Sequence, residues 1–262
     1  HTPAHIHIAG IADLKYMTTF TNTPLFFEAH YGAEPDPTIS YRTALTVYEE
    51  SFIKGRLVGR GWNGAGFLNF YDGRFDPAQH AAPQAFWLEV DGQLLASDWE
   101  WIGFERTKSG EHCTITLKHN IRPITVKVHT QLDGTPVLTR WLEVTNTGAH
   151  PAALSAAYSW SGVLLKTNRW QMHLPNNTSA LYSIGYMDNP HWGNEGDFQW
   201  HDLPTAGYRI DGRYRRDRHR HPMFVLRNNV TGEMFIGQLA WSGGYSFEFD
   251  LDADAGTTDR AA

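Results

Sequence analysis

The chain has 262 residues, 41% of them hydrophobic and 19% charged, an ordinary globular balance that can bury a core without a disulfide or metal staple. A net charge of −6 argues against nucleic acid as a partner, and the single cysteine, Cys113, excludes an internal disulfide. No run reaches 18 apolar residues and no apolar leader follows His1, so neither a membrane partner nor a signal peptide is expected, and the expected location is cytoplasmic.

Ten Trp, 11 Tyr, 14 Phe and 24 Gly favour strands joined by tight turns. Residues 39–48 alternate polar and apolar and read as one strand. Residues 59–66 follow as a glycine-rich loop carrying Trp62. Residues 86–90 run into Asp91-Gly92 and out through residues 93–95, a hairpin signal, because Asp-Gly supplies the positive φ angles of a type I′ turn. Asp98-Trp99-Glu100-Trp101 places two carboxylates on one face of a strand, and residues 113–117 form a strand that buries Cys113.

A second hairpin pairs residues 124–129 with residues 137–144 across a turn containing Asp133-Gly134. Residues 152–158 continue the pattern, and residues 187–197 form a long loop rich in turn formers around Trp192. Strands are expected again at residues 224–226, 234–239 and 245–249. Trp87, Trp141 and Trp241 lie inside alternating strands and are expected in the core. From Asp250 the apolar residues thin out, so the chain reads as one β domain over residues 1–249, followed by a tail or linker over residues 250–262. Helices longer than two turns are not evident. A catalytic barrel of alternating strands and helices needs about 250 residues by itself and is rejected for this chain.

Glycosidase chemistry needs two carboxylates facing one bond, and none of the 28 acidic residues sits in a motif that arranges this; no catalytic residue is assigned. His5-Ile6-His7 and His219-Arg220-His221 lack the partners of a zinc site, and residues 250–256 only loosely resemble a calcium loop; no metal or cofactor is expected. The basic run over residues 213–220 reads as a solvated segment. A sugar stacks its C–H face on an aromatic ring while its hydroxyls seek carboxylates and amides at the rim. Trp62 with Asn63, and Trp192 with Asn194 and Glu195, fit that pattern and are the candidate substrate-binding residues.

In residues 140–148, Trp192-Gly193-Asn194-Glu195, residues 219–226 and residues 231–244, the chain resembles the N-terminal domain of glycoside hydrolase family 36, the bacterial α-galactosidases. The resemblance rests on residues 140–148, an Arg before an apolar strand and an Asn-Xaa-Gly turn, and on Trp192-Gly193-Asn194-Glu195, which is similar to the family's Trp-Xaa-Xaa-Glu. Residues 219–226 resemble the family's Ser-His-rich segment leading into Asn-Pro-Phe. Thr231-Gly232-Glu233, with residues 239–244, resembles Thr-Xaa-Glu followed by Leu-Xaa-Tyr-Ser-Gly-Asn. The resemblance implies an all-β, two-layer β-supersandwich of the galactose mutarotase type with few short helices. Its role would be non-catalytic, shaping an active-site entrance or an oligomer interface. It implies a galactoside or other carbohydrate, the catalytic barrel of a parent chain and a second copy of the chain as partners. Two rival readings stand beside it. One is a mutarotase-like sugar epimerase, for which His112, His119, His129 and Glu143 lie on strands without a motif that pairs them; the other is a purely structural oligomerisation module.

Overall fold

The computed structural model describes residues 26–64, 66, 84–166, 180–188, 193–194, 196–212, 220–241, 243–252 and 257–259. Among these residues the protein is all β, and no helix occurs. The strands are β1 (Phe27–Gly32), β2 (Thr38–Thr43), β3 (Thr46–Ile53), β4 (Arg56–Asn63), β5 (Trp87–Val90), β6 (Gln93–Leu94), β7 (Trp99–Arg106), β8 (His112–His119), β9 (Ile124–Leu132) and β10 (Leu138–Asn146). They continue as β11 (Leu154–Tyr158), β12 (Val163–Lys166), β13 (Tyr182–Met187), β14 (Phe198–Asp202), β15 (Tyr208–Gly212), β16 (Met223–Asn228), β17 (Met234–Gln238), β18 (Tyr245–Asp252) and β19 (Thr257–Asp259).

They form five small antiparallel sheets: β1-β2-β3-β4, β10-β9-β8-β7, β11-β5-β6, β12-β19-β18-β15 and β14-β13-β16-β17. Both hairpins expected from turn chemistry are present. Asp91 and Gly92 take φ of 53° and 73° between β5 and β6, and β9 pairs with β10 along its whole length. Alternation sets which side chains point inward. Cys113, Ile115 and Leu117 of β8 and Val126 and Val128 of β9 share one buried face, and each such side chain contributes roughly 1.5–3 kcal/mol by leaving water. Burial pushes the Cys113 thiol up to about 11.

Residues 39–48 are two strands rather than one. The chain reverses between Thr43 and Thr46, with Ala44 at φ 51°. A positive φ at the first of two turn residues is normally served by Gly, so alanine hid the turn. The segment read as a tail is strand where it is described: residues 250–252 complete β18, and β19 pairs with both β18 and β12. Trp141 and Trp241 are not core; they are 39% and 60% exposed, Trp87 is half-buried, and Trp99 fills the core position instead. The reason is parity. In β10 Leu138, Arg140, Leu142 and Val144 share the inward face, which turns Trp141 outward with Thr139 and Glu143.

The buried apolar side chains make two clusters. One gathers Tyr41, Tyr48, Leu57, Phe86, Leu88 and Trp99 with the inner faces of β8 and β9. The other gathers Tyr182, Ile184, Ile210, Phe224, Leu226 and Phe249. Trp62 packs against both.

Candidate functional site

Trp62 is not in a loop. It lies near the end of β4, directly opposite Tyr48 of β3, and its ring centroid is 4.5 Å from that of Tyr48, 5.0 Å from Trp160 and 5.2 Å from Phe235. Two of the glycines that suggested a loop, Gly59 and Gly61, lie in the strand, and Gly61, at φ 137°, follows the point where β3 and β4 shift register. Asn63 ends the same strand opposite Val47.

Beneath these rings a charged pair is sealed from water. Arg140 Nη1 is 2.8 Å from Glu50 Oε2, and neither side chain is exposed. The Tyr41 hydroxyl donates to Glu50 Oε1 at 2.8 Å, and the Tyr48 hydroxyl to Oε2 at 3.3 Å. The guanidinium lies 4.6 Å from the Trp160 ring and 5.7 Å from Tyr48. Burial, then the Glu50 charge, holds both phenols well above their ordinary range. Burial works to lower the Arg140 pKa, but Glu50 and the two phenols together outweigh it and leave it raised. A carboxylate enclosed in this way cannot exchange protons with a substrate. The cluster ties β3 to β10, where losing one partner of a buried pair costs about 3–5 kcal/mol.

A second polar cluster, partly open to solvent, lies where residues 188 and 197 meet. The Asp188 N–H donates to the Asp197 carbonyl at 3.1 Å, and the Asp197 N–H donates to the Asn194 carbonyl at 3.0 Å, closing the loop at its base. Asp188 Oδ2 is 3.3 Å from His201 Nε2. Arg220 Nη2 donates to the Asp188 carbonyl at 2.9 Å and approaches its Oδ1 at 3.4 Å, while Nη1 donates to the Asp211 carbonyl at 2.9 Å. The guanidinium also lies 5.3 Å from the Tyr186 ring, and the Tyr186 and Tyr208 hydroxyls are 2.9 Å apart. Burial, then the Tyr208 contact, raises the Tyr186 pKa well above the ordinary phenol range. Burial pushes nearby Tyr245, whose hydroxyl donates to the Arg220 carbonyl at 3.0 Å, up to about 12. At neutral pH these phenols therefore keep their protons. A carboxylate, an imidazole, a guanidinium and two phenols in one partly exposed cluster can donate to and accept from a hydroxyl-rich ligand.

Of the candidate residues on this loop, Asn194 is exposed, while Trp192 and Glu195 lie outside the described residues, as do residues 213–219 of the basic run. Asp98 and Glu100 are exposed, and Glu100 lies across the sheet from Lys118. Among the described residues no group of three or more His, Cys, Asp or Glu is placed to hold a metal ion. His112, His129 and Glu143 come together on the outer face of β8, β9 and β10, whereas His119 faces inward against Trp99. Sequence reasoning missed Tyr186, His201, Tyr208 and Arg220. Their contact depends on β13, β14, β15 and the approach to β16 meeting in space, and no spacing along the chain encodes that.

No protein-family model and no curated protein matches the chain. Solved structures define the fold class: the chain is similar in fold to part of the family 36 α-galactosidases. The galactosidase domain of the α-galactosidase–sucrose kinase AgaSK superposes with a TM-score of 0.66 at 14% identity, over 88% of this chain and 38% of that one. The α-galactosidase AgaA from Geobacillus stearothermophilus gives 0.62 at 15% identity over 86% of this chain and 36% of that one. The α-galactosidase from Lactobacillus brevis gives 0.62 at 13%, over 88% and 36%. The chain thus spans less than two fifths of the length of these structures.

Proposed function

We propose that this chain is the non-catalytic, carbohydrate-associated N-terminal domain of an α-galactosidase-like glycoside hydrolase. Its five sheets build a two-layer β-supersandwich, and the loop over residues 188–197 shapes the active-site entrance, or an interface between copies, beside a catalytic barrel. The observation that carries this reading is the fold likeness over 88% of the chain to a minor part of much longer galactosidases. The neck cluster of Asp188, His201 and Arg220 supports it, because together with the backbone bond from Asp188 to Asp197 it fixes the two ends of that segment. The sealed state of Glu50 supports it too, since that carboxylate is withdrawn from chemistry.

The expected outcome is that the purified chain releases no nitrophenol from p-nitrophenyl α-D-galactopyranoside. Saturable turnover by this chain alone would overturn the reading.

A further inference from the structure

The outer face of β8, β9 and β10 carries a cluster that the proposed loop function does not use. His112 Nε2 and His129 Nδ1 are 3.1 Å apart, with ring centroids 5.2 Å apart and planes within 19°. A nitrogen-to-nitrogen hydrogen bond at that centroid separation places the two imidazoles side by side in nearly one plane. The Trp141 indole is parallel to both within 12°, at 5.3 Å from His112 and 4.9 Å from His129. Coplanar rings at these separations would push carbon atoms well inside the ~3.5 Å contact distance, so the indole must lie over the imidazole pair. One indole face therefore rests on the histidines, while 39% of Trp141 stays open to solvent.

The support beneath the indole is fixed from every side. His129 Nε2 is 3.4 Å from Glu143 Oε2, and Thr114 Oγ1 is 3.2 Å from His129 Nδ1. With His129 donating from Nε2 to Glu143, its single Nδ1 lone pair is shared between His112 Nε2 and the Thr114 hydroxyl. Both nitrogens of His129 thus have partners that hold the ring in place. Lys127 Nζ lies 3.5 Å from the other Glu143 oxygen, so a half-exposed carboxylate and an ammonium stand beside the indole. A flat exposed ring on a rigid backing, with charged hydrogen-bonding groups at its rim, has the parts of a stacking platform for a pyranose.

We infer that Trp141, with Glu143 and Lys127 at its rim, is a surface binding site for a pyranoside, separate from the loop over residues 188–197. The inference rests on the carbohydrate-associated reading above and adds a place where the sugar is held. A galactoside suits the platform because its axial 4-hydroxyl leaves a run of C–H bonds along one face for the indole to cover, while the remaining hydroxyls reach outward to the carboxylate and ammonium. Trp141 stands on a strand paired along its whole length with β9, so binding requires no rearrangement of the strands.

The test is a titration of the purified chain with methyl α-D-galactopyranoside, followed by calorimetry and by two-dimensional amide NMR. The expected result is weak saturable binding, with shift changes centred on residues of β9 and β10. Trp141→Ala should lower affinity about tenfold, which corresponds to about 1.4 kcal/mol. Trp141→Tyr should keep a measurable part of it, and Glu143→Gln should weaken binding with the indole intact. Trp141→Tyr also keeps a ring on the histidines, so it guards against a variant that loses the sheet instead of the site. Sugar binding that is unchanged in Trp141→Ala, or shifts confined to residues 188–201, would overturn the platform and leave the carbohydrate reading standing. An absence of binding by the wild-type chain would likewise overturn the platform, whereas the proposed function falls only on turnover by the chain.

Discussion

His119 shows how a single inward position can make a stability statement. Its Nδ1 accepts the backbone N–H groups of Ile121 at 3.2 Å and Arg122 at 3.0 Å, so that nitrogen carries no proton, and the ring meets Trp99 edge-on at 4.9 Å. Burial lowers its pKa; the Asp98 charge opposes this and Arg122 adds to it. The folded protein therefore binds a proton at this site less readily than the unfolded chain does. The stability it contributes is complete above the unfolded value of about 6.5 and is lost as pH falls through the lowered folded value. The melting temperature should fall between neutral and mildly acidic pH. His119→Asn, which can accept the same amides without titrating, should flatten that fall. An equally steep decline in the variant would mean that other groups set it.

At the scale of elements, the turn between β2 and β3 is the place where local preference and fold disagree most clearly. Ala44 sits at φ 51°, a conformation that costs an L-residue roughly 1–2 kcal/mol. Its N–H donates to the Phe26 carbonyl at 2.9 Å, and the Gly66 N–H donates to the Leu45 carbonyl at 2.8 Å, so the surrounding chain holds the turn in shape. The buried faces of β2 and β3 stabilise the hairpin more than the strain destabilises it. Ala44→Gly removes the strain but loosens the unfolded chain by about 0.4–1 kcal/mol, which leaves a net gain of up to about 1.6 kcal/mol. Urea denaturation with an unchanged slope and a higher midpoint is the expected result. Ala44→Val should shift the midpoint the other way.

At the scale of the whole molecule, one side chain bridges the two buried clusters. Trp62 touches Tyr48 and Trp160 on one side and Phe235 on the other. Its truncation removes packing from both clusters at once. Trp62→Ala should cost about 3 kcal/mol, the lower end of the range for aromatic truncation, because the ring is only half-buried. Amide exchange should quicken in β3 and also in β16 and β17. Faster exchange confined to one cluster would show that the bridge does not couple them. The fold itself persists at 13–15% identity with the galactosidases, because its strands need an inward apolar face and suitable turns far more than particular residues.

Period-two alternation and turn chemistry alone determined that the chain is β throughout its described residues, and they located the β5–β6 and β9–β10 hairpins. These signals are local: side-chain direction repeats every two residues, and Asp-Gly meets the dihedral demand of a tight turn within two positions. The parity of Leu138, Leu142 and Val144 with Arg140 was also present in the sequence, and reading it would have turned Trp141 outward. Tertiary structure alone decided the rest. Glu50 and Arg140 are 90 positions apart, and only the approach of β3 to β10 makes them a sealed pair with Trp62 above it. Asp188, His201 and Arg220 likewise meet only once their separate segments converge, and His112, His129, Trp141 and Glu143 only once three strands are in register. Sites of this kind depend on strand order and register, which side-chain periodicity along one strand does not specify.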